Sequence, residues 1–138
     1  MVTKQKIGDY AIDFTRAHVT VDPTTGFTTY NPINWLSDQE LSAISLPATT
    51  ITADQAQIVA LAFDTQMISE LAPHQAGQTI VKTEVSQRVV DKDAMWTTEQ
   101  LTFPLAVISV RVQRTGGSMT YYVDPEKGTV VGWATPTP

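Results

Sequence analysis

The feature that most restricts this fold is a switch of hydrophobic period near residue 75. Between Thr52 and Leu71 apolar residues recur at helical spacing, whereas from Thr79 onward they recur at every second position. Ala56, Val59, Ala60, Phe63, Met67 and Leu71 form one helical row, and Ile58, Leu61 and Ile68 form a second. Thr52-Ala53-Asp54-Gln55 has the composition of a capping box, in which a hydroxyl and an amide satisfy each other's orphan backbone donors, and Pro73 closes the segment. The two rows give a wide apolar arc and leave Asp54, Gln55, Gln57, Asp64, Gln66 and Glu70 for the wet side. A helix of that kind is expected to lie in the concavity of a sheet.

The period-two region supplies the sheet. Thr79 to Val90 reads as one long strand, with Val81, Thr83, Val85 and Val89 on one face and Lys82, Glu84 and Arg88 on the other. Asp91-Lys92-Asp93 ends it, and a helical turn is expected over Trp96–Gln100. A second strand from Leu105 places Ala106, Ile108, Val110 and Val112 inward. Thr115-Gly116-Gly117-Ser118 turns the chain into Met119–Val123, Asp124-Pro125-Glu126-Lys127-Gly128 turns it again, and Thr129–Trp133 is the last strand.

Upstream, residues 10–30 read as a β-hairpin around Asp22-Pro23-Thr24-Thr25-Gly26, and Ser37-Asp38-Gln39-Glu40 is a second capping box before a short helix stopped by Pro47. The pattern Val-Asp-Pro-x-x-Gly occurs at 21–26 and again at 123–128, either as turn chemistry used twice or as a degenerate duplication. The expectation is a single α+β domain over residues 1–138: an antiparallel β-meander sheet packed against one long α-helix, with an N-terminal β-hairpin and frayed ends at 1–9 and 134–138.

Composition narrows the chemistry. The absence of cysteine in 138 residues excludes disulfides, thiol nucleophiles, iron–sulfur clusters and thiolate zinc sites. A net charge of −5, with nine scattered basic residues, argues against non-specific binding to nucleic acid or anionic membrane. No segment approaches the ~20 apolar residues of a membrane-spanning helix. A signal or lipid anchor before Met1 would place the chain in the cell envelope or outside the cell; otherwise it is expected in the cytoplasm.

Only two histidines are present, His18 and His74, too far apart to form a helical ligand pair. His74 could act as a general base only if an acid such as Asp91 or Asp93 converged on it. Phosphate-loop, dinucleotide-fold and Gly-x-Ser-x-Gly signatures are lacking. No cofactor, metal or catalytic residue is therefore assigned. The most informative surface is the outward face of the later strands, where Leu105, Val107 and Arg111 are joined by Tyr122 and form a partly apolar candidate partner-binding face. The rival site is a pocket between helix and sheet lined by Phe63, Met67, Trp96, Tyr121 and Trp133.

The helix opening Ile51-Thr52-Ala53-Asp54-Gln55-Ala56, the meander, and then Met119-Thr120-Tyr121-Tyr122-Val123-Asp124-Pro125-Glu126-Lys127-Gly128-Thr129-Val130-Val131-Gly132 together resemble the PepSY family. In those bacterial modules an Ile-Thr-x-x-x-Ala helix start precedes strands ending on Tyr-x-Val-Asp-x-x-x-Gly-x-Val. The resemblance covers about half the chain; residues 79–104 exceed the family's linking strand, and residues 1–50 have no counterpart. It implies a small cell-envelope or secreted module that restrains peptidases or binds peptides and has no catalytic residues of its own.

The expected function is accordingly a non-enzymatic binding module whose partner is a protein or peptide, or a second copy of itself. Two alternatives stand beside it: an NTF2-like or cystatin-like small-molecule enzyme or binder using the helix–sheet pocket, and a phage or assembly structural protein.

Overall fold

A computed structural model describes residues 2–71, 73–75 and 77–135. Its elements in chain order are β1 (Val2–Thr3), β2 (Lys6–Ile7), β3 (Tyr10–Ile12), β4 (Arg16–Val21), β5 (Thr28–Ile33), α1 (Asp38–Ser42), α2 (Ala53–Leu71), β6 (Ile80–Val90), β7 (Leu105–Arg114), β8 (Gly117–Val123) and β9 (Val130–Ala134). The architecture is α+β. A six-stranded sheet in the order β2-β3-β6-β7-β8-β9 carries the long helix, and a separate three-stranded sheet in the order β1-β4-β5 contains the N-terminal hairpin. The meander β6 to β9 is antiparallel throughout.

Four boundaries differ from the sequence reading. The hairpin is β4–β5, because Tyr10–Ile12 leaves it and pairs in parallel with Arg88 and Val89 of β6. Among the described residues this is the one parallel pairing in the six-stranded sheet. The segment expected to fray at 1–9 supplies β1 and β2, and it is anchored by Gln5, whose side-chain amide donates to the Leu36 carbonyl at 2.8 Å and accepts from the Leu36 N–H at 2.7 Å. At the other end Ala134 belongs to β9, and residues 136–138 lie outside the described residues. The helical turn expected at 96–100 lies instead at Lys92–Ala94, where the Asp91 carboxylate accepts from the Asp93 N–H.

Local chemistry accounts for the remaining boundaries. Thr52 Oγ1 accepts from the Gln55 N–H and Gln55 Oε1 accepts from the Thr52 N–H, so both halves of the capping box form at the start of α2. The two Val-Asp-Pro-x-x-Gly turns fold alike: Asp22 accepts from the N–H groups of Thr24 and Thr25, Asp124 from those of Glu126 and Lys127, and each loop closes on a glycine of positive φ.

Helix α2 packs on β6–β9 through Ala56 and Ala60, whose small side chains let the helix approach Ile108, Val110, Val112, Met119, Tyr121 and Val123. The expected apolar row packs inward, with Ala56, Val59, Ala60, Phe63 and Met67 in or against the core, but two positions differ. Asp64, assigned to the wet side, is only 1 % exposed, whereas Ile58, assigned to the apolar arc, is 68 % exposed. The reason is visible in the spacing: Asp64 continues the row Ala56–Ala60 at intervals of four, and that row faces the sheet. A second cluster, built on Tyr10, Ile12, Ile44, Val89 and Ala106, is closed by Leu41 of α1. A third lies on the sheet's outer face.

Candidate functional site

That third cluster decides the status of the expected docking face. Val90, Val107, Tyr122 and Val131 are buried there beneath Met95, Leu101 and Phe103, because the chain between β6 and β7 folds back across the outer face. Val107 is fully buried, Tyr122 is 8 % exposed, and Leu105 is half-buried against the same cluster; only Arg111 among the four is exposed. The expected face is thus interior at Val107 and Tyr122, covered by residues 91–104 of the same chain.

The expected helix–sheet pocket is likewise corrected. Phe63 packs edge-on against Tyr121 at a centroid distance of 5.8 Å and in a tilted arrangement against Trp133 at 5.9 Å, and Met67 is buried in the same cluster. These four residues meet, but as packed core. Trp96 is elsewhere: its side chain is 73 % exposed, and its backbone exchanges two hydrogen bonds with Trp133, of 2.8 and 3.0 Å, along the outer edge of β9.

Within that core lies a polar group that the sequence reading missed. The Asp64 carboxylate accepts from the Tyr121 hydroxyl on one oxygen and from Arg114 Nη2, at 2.5 Å, on the other. The Arg114 side chain is itself 9 % exposed, and its Nε and Nη1 atoms have no hydrogen-bond partner among the described residues. Burial, followed by the hydrogen bond to the Asp64 carboxylate, pushes the Tyr121 phenol far above its ordinary value. The only advance signal was the interval Ala56–Ala60–Asp64.

What remains open is backbone. Among the described residues β3 covers β6 only at Arg88 and Val89, so the outer edge of β6 from Ile80 to Gln87 has no partner strand among them. The hairpin β7–β8 is closed by a two-residue loop between Arg114 and Gly117, which makes that pair hydrogen-bonded and turns the even residues of β7 toward β8. The odd residues of β7 therefore bond to even residues of β6, through pairs such as Glu84–Arg111 and Ser86–Ser109. It follows that Thr83, Val85 and Gln87 direct their N–H and C=O groups away from β7. The hydrogen bond that Asp13 donates to the Val89 carbonyl on that same side bears this out.

Each face of this edge is flanked by a hollow. On the outer face a cavity of about 230 Å³ is lined by Ser86, Arg88, Ser109, Arg111, Thr120 and Tyr122, among others. Arg88 is engaged there by Asp13 at 2.5 Å and donates to Ser86 at 2.8 Å, whereas Arg111 reaches Glu84 only at 3.9 Å. On the helix face a cleft of about 310 Å³ lies between Thr50, Ile51 and Ala53 and the strand residues Val85, Ser86 and Gln87.

The histidines lie apart from both hollows. His18 sits mid-strand in β4, and His74 occupies an exposed 3₁₀ turn before β6, while Asp91 and Asp93 follow its far end, roughly 30 Å away along an extended strand. Among the described residues no group of three or more His, Asp or Glu side chains is placed to hold a metal ion, and no helix is long and apolar enough to cross a membrane. Comparison with protein-family models, with curated proteins and with solved structures finds no match to this chain.

Proposed function

We propose that the chain is a non-enzymatic interaction module that binds an extended protein segment by adding it as a strand to the open edge of β6. The observation that carries this reading is the unpaired edge from Ile80 to Gln87 with a hollow on each face. Strand addition needs outward backbone groups for affinity and pockets on alternating sides for specificity, and both are present at one place. The carboxylate buried between helix and sheet is already bonded to Arg114 and Tyr121, so it serves the core before any substrate. The reading also accords with what the PepSY resemblance implies, a peptide- or peptidase-binding module of the bacterial cell envelope.

Selection of extended peptides from a displayed library, followed by hydrogen exchange on the complexes, tests it. Bound peptides are expected to protect the amides of Thr83, Val85 and Gln87, and Thr83→Pro, which removes one outward donor, should abolish binding while the circular dichroism spectrum is retained. Protection elsewhere, or undiminished binding by the proline variant, would overturn the proposal.

A further inference from the structure

We infer that the segment received by this edge is the same edge of a second copy, paired antiparallel with its two-fold axis at Thr83. The inference rests on the edge-binding reading above and names its occupant. In this register Thr83 faces Thr83, Val81 faces Val85 twice, and Lys82 faces Glu84 twice.

The strand is complementary to itself there and not in neighbouring registers. Centring on Val85, the next outward-facing residue, places Lys82 across from Arg88, and centring on Lys82 or Glu84 sets like charges opposite each other. Lys82 and Glu84 already share one face, where they form an ion pair of 3.2 Å within the strand. In the pair of copies each charge gains a cross-strand partner on that face. On the opposite face the half-buried Val85 meets Val81, which is 63 % exposed in the single chain. Val81 sits where a bulge between Ile80 and Lys82 shifts the register of β6 against β7, so the regular part of the pairing runs from Lys82 to Val85. An edge with this pattern is self-complementary, as an interface with two-fold symmetry must be.

The lack of native cysteine makes the geometry directly measurable. Directly opposed residues of a hydrogen-bonded antiparallel pair have Cα atoms about 5.5 Å apart, inside the range a disulfide spans. Thr83→Cys is therefore expected to cross-link to twice the 15.1 kDa chain mass under mild oxidation, much faster than Ser69→Cys, an exposed helix position. By light scattering the unmodified chain should show the doubled mass. Lys82→Glu and Glu84→Lys should each weaken association by about tenfold, and the double exchange Lys82→Glu/Glu84→Lys should restore it to within about threefold.

A chain that stays at single mass up to about 1 mM, a Thr83→Cys variant that cross-links no faster than Ser69→Cys, or a charge exchange that fails to rescue would each overturn the inference. The two proposals fail separately. Should copies not pair while selected peptides still protect Thr83, Val85 and Gln87, the occupant is wrong and the edge-binding reading stands; should neither protect those amides, both fall.

Discussion

Asp64 and Tyr121 meet across the helix–sheet interface, the phenol donating to a carboxylate that also holds Arg114. This joins the middle of α2 to the centre of β8 and the end of β7 through one buried charge pair. Replacing Asp64 with Asn leaves the Arg114 charge buried without compensation, which should cost about 3–5 kcal/mol and lower Tm by roughly 10–20 °C. Tyr121→Phe removes one hydrogen bond and should cost less, about 1–3 kcal/mol. Denaturant titrations of the two single variants and the double variant would give a non-additive cycle if the three side chains act together.

Alkaline pH should unfold the chain for an identifiable reason. Burial raises the phenols of Tyr10, Tyr121 and Tyr122 above the ordinary 10.0, and for Tyr121 the Asp64 carboxylate adds to the effect. The native state therefore holds these protons above pH 10 while the unfolded chain releases them. Stability is fully present below about pH 10 and falls above it, by at most about 1.4 kcal/mol per pH unit for each tyrosine. Urea midpoints between about pH 8 and 11 should fall more gently in Tyr121→Phe, and absorbance at 295 nm should show the three phenols ionising together with unfolding.

The outward position of Ile58 on α2 has a plain test. Ile58→Gln alters an exposed position and should change stability by no more than about 0.5 kcal/mol, whereas Ala60→Leu crowds the point where helix and sheet approach and should cost about 1–3 kcal/mol. An inward Ile58 would instead make Ile58→Gln costly as well. Thermal unfolding of both variants distinguishes the two arrangements.

Val107→Asp separates a docking residue from a core residue. Because Val107 is fully buried under the 91–104 segment, the substitution should destabilise the fold by on the order of 4 kcal/mol, and guanidinium midpoints would register it. A stable variant with altered association alone would restore the original reading of that face.

These comparisons show which parts of the molecule the residues announce. The long helix, the antiparallel meander, the capping box at Thr52 and both Val-Asp-Pro-x-x-Gly turns are local, so period and turn chemistry reveal them. The parallel pairing of Tyr10–Ile12 with Arg88–Val89 joins segments more than seventy residues apart, and no local pattern encodes it. The open edge was hidden for the same cause: Thr83, Val85 and Gln87 look like any strand residues until the partner strand is seen to stop at Arg88. Asp64 was misplaced because polarity outweighed spacing, although its interval from Ala56 and Ala60 pointed inward. The cover over Val107 was missed because Met95, Leu101 and Phe103 lie in a segment without periodicity.

The exposed ring of Trp96 draws the eye, yet its backbone has the larger effect. Trp96 returns both of its hydrogen bonds to Trp133, and the Thr97 hydroxyl caps the Val131 carbonyl, so the outward groups at the β9 end are largely consumed by the chain itself. The six-stranded sheet is thus finished at one side and unfinished along β6. For the pairing inferred above, the β9 side offers a further copy few free backbone groups, which disfavours growth of a fibre through that side.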